Sequence, residues 1–260
     1  MIEGITLEKK QGYAVLTVDI PDTRNALSVP IVKELDALVD QAASDPGVRC
    51  LLVTGGGNKS FVAGADIRQL VKMTPEESHY SIEVGHKLFS KLETLDIPVV
   101  AAINGYCLGG GLELAMSCDI RVCSANAKFG LPEINIGMIP GWGGTLRLAR
   151  LIGESRAKDM LLRGKMIDAE TARSYGLIAE VYDDVAVLRE KAEELAAELA
   201  SKAPITMKLD KRLVYDAAGK QPTDIAQRDA LALGYVFTTY DAKEGLTAFL
   251  EKRAPKYEGR

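Results

Sequence analysis

Glu113 and Glu133 sit in apolar company that a carboxylate normally avoids. Glu113 falls within "GYCLGGGLELAMSCDI" (105–120), where three consecutive glycines lead into an alanine-rich segment. Glu133 falls within "AKFGLPEINIGMIPGWGGT" (127–145), where Pro132 and several glycines fix an irregular backbone. A buried ionised carboxylate costs several kcal/mol unless it is paired or hydrogen-bonded, so the placement needs a reason. By spacing alone two such groups are ordinarily independent surface residues. Here Leu112, Leu114, Ala115 and Met116 flank one, and Phe129, Leu131, Ile134 and Ile136 the other. Both pKa values are therefore expected to be raised, and mutual proximity would keep one group protonated. Such a pair can deliver a proton and activate a water.

The glycines admit two readings. A dinucleotide fingerprint fails, because Leu114 follows Gly109-Gly110-Gly111 where the last glycine belongs, and "GWGGTL" (141–146) ends in Leu146 at the equivalent place. No GKS or GKT marks a phosphate loop. Tight turns and close helix packing explain the glycines structurally. Alternatively Ala65 and Gly110 present backbone N–H groups to one developing negative oxygen, a task for which amides suit because they are already oriented.

These residues must be positioned by regular elements. The runs at 14–20, 50–55, 98–105 and 119–124 read as strands. Ser28 is placed to cap a helix with an apolar stripe from Ile31 to Ala42, and Thr74-Pro75-Glu76-Glu77 opens a second helix reaching about Leu95. "LLVTGGGNKSFVAGADIRQL" and "VVAAINGYCLGGGLELAM" each read strand, Gly-rich loop, helix, so their loops could share one ligand. From 153 onward helical patterns dominate, with Gly176 as a C-terminal cap. The chain divides into a core of residues 1–200 holding the site and a helical region of residues 201–260. The latter has too few apolar residues to stand alone and must pack on the core or on a neighbouring subunit.

The 260 residues are 47% hydrophobic with a net charge of −4, which argues against nucleic acid as a partner and demands a local basic cluster for any anionic ligand. Neither a signal sequence nor a membrane-spanning run is visible, so a cytoplasmic protein with no membrane partner is expected. Cys50, Cys107, Cys118 and Cys123 form no CxxC pair and read as buried thiols. His79 and His86 lack supporting ligands, so no metal site is expected. One Trp and 6% aromatics leave no sugar platform for a two-carboxylate glycosidase.

Taken in order, "NAL" (25–27), "SFVAGADI" (60–67), "NGYCLGGGLELAMSCDIRV" (104–122), "FGLPEINIGMIPGWGGTLRL" (129–148), "APITMKLDK" (203–211) and "AFLEKR" (248–253) resemble the enoyl-CoA hydratase branch of the crotonase superfamily. The resemblance implies an α/β fold, the crotonase (ClpP-like) spiral of repeated ββα units, with a C-terminal helical trimerisation region and a homo-hexamer built as a dimer of trimers. It implies an oxyanion hole from the amides of Ala65 and Gly110, acid/base work by Glu113 and Glu133, and Gly141 beside the catalytic water. Coenzyme A, carried as part of the substrate with no separate cofactor, would meet Arg24, Lys59 and Arg68, with Ala63, Ala65, Asp66 and Ile67 alongside. Phe237 and Lys252 would approach a neighbour's coenzyme A site. The implied reaction is hydration of a 2-enoyl-CoA. An isomerase moving the double bond, a hydratase of cyclic dienoyl-CoA and a non-catalytic RNA-binding member are the alternatives, and the presence of both glutamates favours hydration. Two positions depart from the family: Leu146, commonly Gln, and Trp142, which either lines an acyl pocket or packs in the supporting core.

Overall fold

The computed structural model describes residues 2–217, 219–220 and 222–260. A six-stranded sheet runs β1 (Ile5–Lys9), β2 (Gly12–Val18), β3 (Val48–Gly55), β5 (Val99–Ile103), β7 (Ile120–Ser124), β10 (Glu180–Tyr182), with β1 antiparallel to β2 and the rest parallel. A smaller sheet runs β4 (Ser60–Val62), β6 (Tyr106–Leu108), β8 (Lys128–Gly130), β9 (Met166–Asp168), and only β9 is antiparallel. After α1 (Val29–Ser44), the chain adds one strand to each sheet and then a helix, three times. β3 and β4 lead to α2 (Ile67–Leu70) and α3 (Pro75–Thr94); β5 and β6 lead to α4 (Gly110–Met116); β7 and β8 lead through a 3-10 turn (Pro132–Ile136) to α5 (Gly144–Ile152). This is the repeated ββα spiral, and parallel neighbours force it because each return needs a crossover. The helices α6 (Glu154–Arg163), α7 (Ala169–Ser174), α8 (Val185–Ala200), α9 (Pro204–Ala217), α10 (Pro222–Val236) and α11 (Tyr240–Glu251) complete the described elements.

The large sheet is covered on both faces, which is why its central strands read as unbroken apolar runs. On β3, Leu51 and Val53 face the main core with Val32, Leu35 and Phe89, while Cys50 and Leu52 face Leu188, Ala192, Ala196 and Ala200 of α8. Alanine every fourth residue lets α8 lie close to the strands. The capping residues act as their types predict: Ser28 accepts from the Ile31 N–H at 3.5 Å, and Thr74 and Glu77 form a reciprocal capping box. Gly176, at φ +81°, follows the last residue of α7's cap.

The C-terminal helices pack on the core through buried polar contacts. Lys211 of α9 donates to the carbonyls of Leu92 and Ile97 and pairs with Asp119 at 2.7 Å. Arg49 of β3 donates to the Tyr257 carbonyl. Phe249 and Leu250 of α11 remain about four-fifths exposed. Among the described residues no helix is long and apolar enough to cross a membrane, all four cysteines are buried free thiols, and no three His, Cys, Asp or Glu side chains gather at metal-binding range.

Candidate active site

Adjacent parallel strands release their loops side by side, and β4 and β6 do so at the mouth of one cavity of about 260 Å³. The two loops abut: a Cβ on Gly109 would lie 3.6 Å from the Gly64 Cα. The Gly64 carbonyl accepts from the Leu27 N–H at 2.8 Å, so the other end of that peptide, the Ala65 N–H, points the opposite way. The Gly109 carbonyl accepts from the Glu113 N–H at 3.0 Å, closing the first turn of α4 and leaving the Gly110 N–H at the helix start without an intrahelical partner. Among the described residues neither the Ala65 nor the Gly110 N–H donates a hydrogen bond within the protein, and both residues line the cavity.

The three glycines serve packing and site at once. At Gly109 (φ +51°) a Cβ would sit 2.8 Å from Oε1 of Glu133; at Gly110, 2.5 Å from Cζ3 of Trp142; at Gly111, 2.0 Å from the Val62 carbonyl oxygen. The packing reading of the motif therefore holds, and it leaves the two amides facing the cavity. Close approach is what seats the amides.

Glu113 and Glu133 meet in the wall of this cavity. Glu113 is 2% exposed, and its Oε1 accepts from the N–H groups of Trp142 (2.7 Å) and Gly144 (2.8 Å), so the carboxylate also caps α5. Burial pushes its pKa up to about 7 against the pull of those two amides, and the Glu133 charge adds to the rise. Burial raises Glu133 as well, and its buried Oε2 has no hydrogen-bond partner among the described residues. Two donors favour the charged form of Glu113, whereas the orphaned oxygen favours a neutral Glu133.

The remaining positions sort by geometry. Gly141 is in the cavity wall, but the amides that grip Glu113 belong to Trp142 and Gly144, two donors that sequence reasoning missed. Trp142 is 6% exposed, donates Nε1–H to the Ser81 carbonyl and meets Phe89 edge-on at 5.6 Å, so it is a core residue with one edge in the wall. Leu146 is exposed on α5 and does not line the cavity. Ala63, Ala65 and Ile67 do line it, while Asp66 caps α2 and pairs with Arg68 at 3.0 Å. The Arg24 carbonyl accepts from the Ala63 N–H, which brings that exposed arginine to the same edge. Lys59 is exposed in the turn before β4 and does not line this cavity, which meets the opposite end of that strand. Phe237 and Lys252 are exposed in the C-terminal helical region and line no part of this cavity. Met73 and Ile82 from the α2–α3 segment, with Ile136 and Met138, supply apolar wall that no local motif announced. His79 pairs with Glu83 on the surface of α3.

Residues 8–260 match the family described as enoyl-CoA hydratase/isomerase. The short-chain-enoyl-CoA hydratase of Clostridium acetobutylicum is 40% identical, covering 99% of this chain and 98% of its own. The crotonyl-CoA hydratase of Syntrophomonas wolfei is 40% identical over 98% of each chain. The crystal structure of an enoyl-CoA hydratase from Bacillus anthracis superposes with a TM-score of 0.95 at 36% identity, covering 99% of this chain and 100% of that one.

Proposed function

We propose that this chain, which belongs to the enoyl-CoA hydratase/isomerase family, adds water across the double bond of a 2-enoyl-CoA to give a 3-hydroxyacyl-CoA. One observation carries the reading: two unpartnered backbone amides and two carboxyl groups line a single apolar cavity. The thioester oxygen accepts from Ala65 and Gly110. A water resting on Glu113 attacks Cβ as its proton passes to the carboxylate, whose Oε1 is already occupied by two N–H donors. The π electrons move onto the thioester oxygen as an enolate, which the amides stabilise without reorganising. Protonated Glu133 then delivers its proton to Cα. Water and the two carboxyl groups carry every proton, so coenzyme A enters as part of the substrate.

Isomerisation needs one proton shuttle and no water, and a second carboxylate held by two amides would have no task in it. The apolar wall from Met73, Ile82, Ile136 and Met138 suits an uncharged acyl chain. Arg24 on the loop before α1 and Arg68 of α2, the latter shared with Asp66, edge the cavity and supply the local positive charge that a phosphate-bearing ligand needs on a chain of net charge −4. The exposed Phe249 and Leu250 of α11 favour burial against further copies, in keeping with a dimer of trimers.

A panel of 2-enoyl-CoA esters differing in chain length and ring content, followed by loss of the conjugated-thioester absorbance, tests the activity. Hydration of short linear esters is the expected result. Inactivity on the whole panel rejects it, and double-bond migration without water uptake would favour the isomerase.

A further inference from the structure

The grip on Glu113 depends on a loop, and the loop is itself held from behind. Between the two N–H groups that reach Oε1 lies the Trp142 carbonyl, which turns away from Glu113 and accepts from Nη1 of Arg147 at 2.6 Å. The same guanidinium makes a fork with Glu93 of α3, Nε to Oε1 at 2.9 Å and Nη2 to Oε2 at 2.7 Å. Arg147 is 6% exposed, so the ion pair is screened little by water. Gly143, at φ +94°, supplies the turn, and a Cβ there would strike Nη1 of Arg147 at 2.4 Å. A buried fork of this kind is weak evidence for stability, since apolar replacements of similar volume often do as well. Its geometry fits another purpose.

We propose that Arg147, anchored by Glu93, is a positioning residue for catalysis: it pins the Trp142 carbonyl so that the flanking amides of Trp142 and Gly144 stay aimed at Glu113. Resting on the hydratase reading, the arrangement fixes Oε1 and leaves the other oxygen of Glu113 as the base. The charged groups bearing on Glu113 are Glu133 from the 3-10 turn and Arg147 from α5, with Glu93 behind the latter. His86 of α3 lies against Gly143. Arg147 opposes the rise in the Glu113 pKa, as do the two amides, so loosening the loop removes both influences in the same direction. Lysine at 147 cannot serve the carbonyl and both carboxylate oxygens with one fixed fork.

The test compares wild type with R147M/E93L, which leaves no orphan charge, and with R147K. In the double variant kcat should fall about tenfold to a hundredfold with KM within about twofold, because the base is misplaced rather than the substrate lost. The acid limb of kcat/KM should move to higher pH by about half a unit or more. R147K should fall between the two proteins on both measures. Carboxyl carbon NMR of the unliganded proteins, with the Glu113 resonance assigned by its loss in E113Q, should show the same displacement. A folded double variant with wild-type kcat and an unmoved Glu113 titration overturns the proposal; if that variant does not fold, R147K with wild-type values does so. Because the NMR titration needs no turnover, a wild type inactive on every ester rejects the hydratase reading, and the titration still decides by itself whether Arg147 holds the loop on Glu113.

Discussion

Glu113→Gln should make the protein more stable and nearly inactive, and the stability gain should depend on pH in a defined way. The native carboxyl is raised from 4.5 to about 7, chiefly by burial. Below pH 4.5 both native and unfolded chains hold this proton, and the group contributes no penalty. Between 4.5 and 7 the unfolded chain releases the proton while the native chain retains it, so unfolding becomes progressively more favourable as pH rises. Above about 7 the full penalty applies. Each pKa unit corresponds to about 1.4 kcal/mol, so the rise amounts to about 3 kcal/mol. Glutamine has the same shape and its carbonyl can accept from Trp142 and Gly144, yet it cannot ionise. The advantage of the variant over wild type should therefore grow by up to about 3 kcal/mol between pH 4.5 and pH 8. Urea unfolding at pH 5, 6, 7 and 8 reads this, at one protein concentration because the proposed subunit association would make midpoints concentration-dependent. The same substitution should reduce kcat on a short enoyl-CoA by at least about 10²-fold, since the remaining amide cannot take a proton from water. A stability difference flat in pH refutes the burial argument. Undiminished turnover refutes the role of base.

Ala65→Pro removes one oxyanion donor where a Cβ already exists, so kcat should fall by about 10²- to 10³-fold with little change in thermal midpoint. A folded variant with normal kcat would remove Ala65 from the mechanism. Trp142→Ala should cost about 3–5 kcal/mol of stability, as large buried aromatics do, and should lower activity evenly across acyl lengths. A gain confined to longer esters at unchanged stability would move Trp142 from the core to the acyl pocket.

Much of this site was visible in residue types, because burial has a local signature. Apolar neighbours on both sides of Glu113 and Glu133 announced raised carboxyl pKa values, and Ser28 and Thr74 announced helix starts that the hydrogen bonds bear out. The strands β2, β3, β5 and β7 were legible for the same reason, whereas β1, as long as β5 and β7 but mostly exposed, was not. Those of the small sheet were not, since β4, β6, β8 and β9 have three residues each, too few to display alternation. That omission also hides how far Lys59 stands from the cavity wall. It stands four positions from Ala63, and an extended chain carries them about 13 Å apart, from one end of β4 to the other. The fork of Arg147 on Glu93 spans 54 positions and follows from the meeting of α3 and α5, a contact that no local pattern encodes.

Trp142 shows how such distant contacts can tie a site together. Gly85 lies inside α3, where glycine costs about 1 kcal/mol relative to alanine and no turn needs it. A Cβ at 85 would meet the Trp142 indole at 2.3 Å, and one at Gly110 would meet the same ring at 2.5 Å. The indole thus fills the gap between a helical glycine and the glycine whose amide is the proposed thioester donor, while its own backbone N–H grips Glu113 and its carbonyl takes Arg147. One residue therefore couples the seat of the proposed oxyanion donor to the seat of the proposed base. A smaller side chain at 142 leaves a void against both glycines, and alanine at 85 or 110 pushes the ring into the other. Substitutions at 85, 110 and 142 should consequently be non-additive, because they share one packed contact.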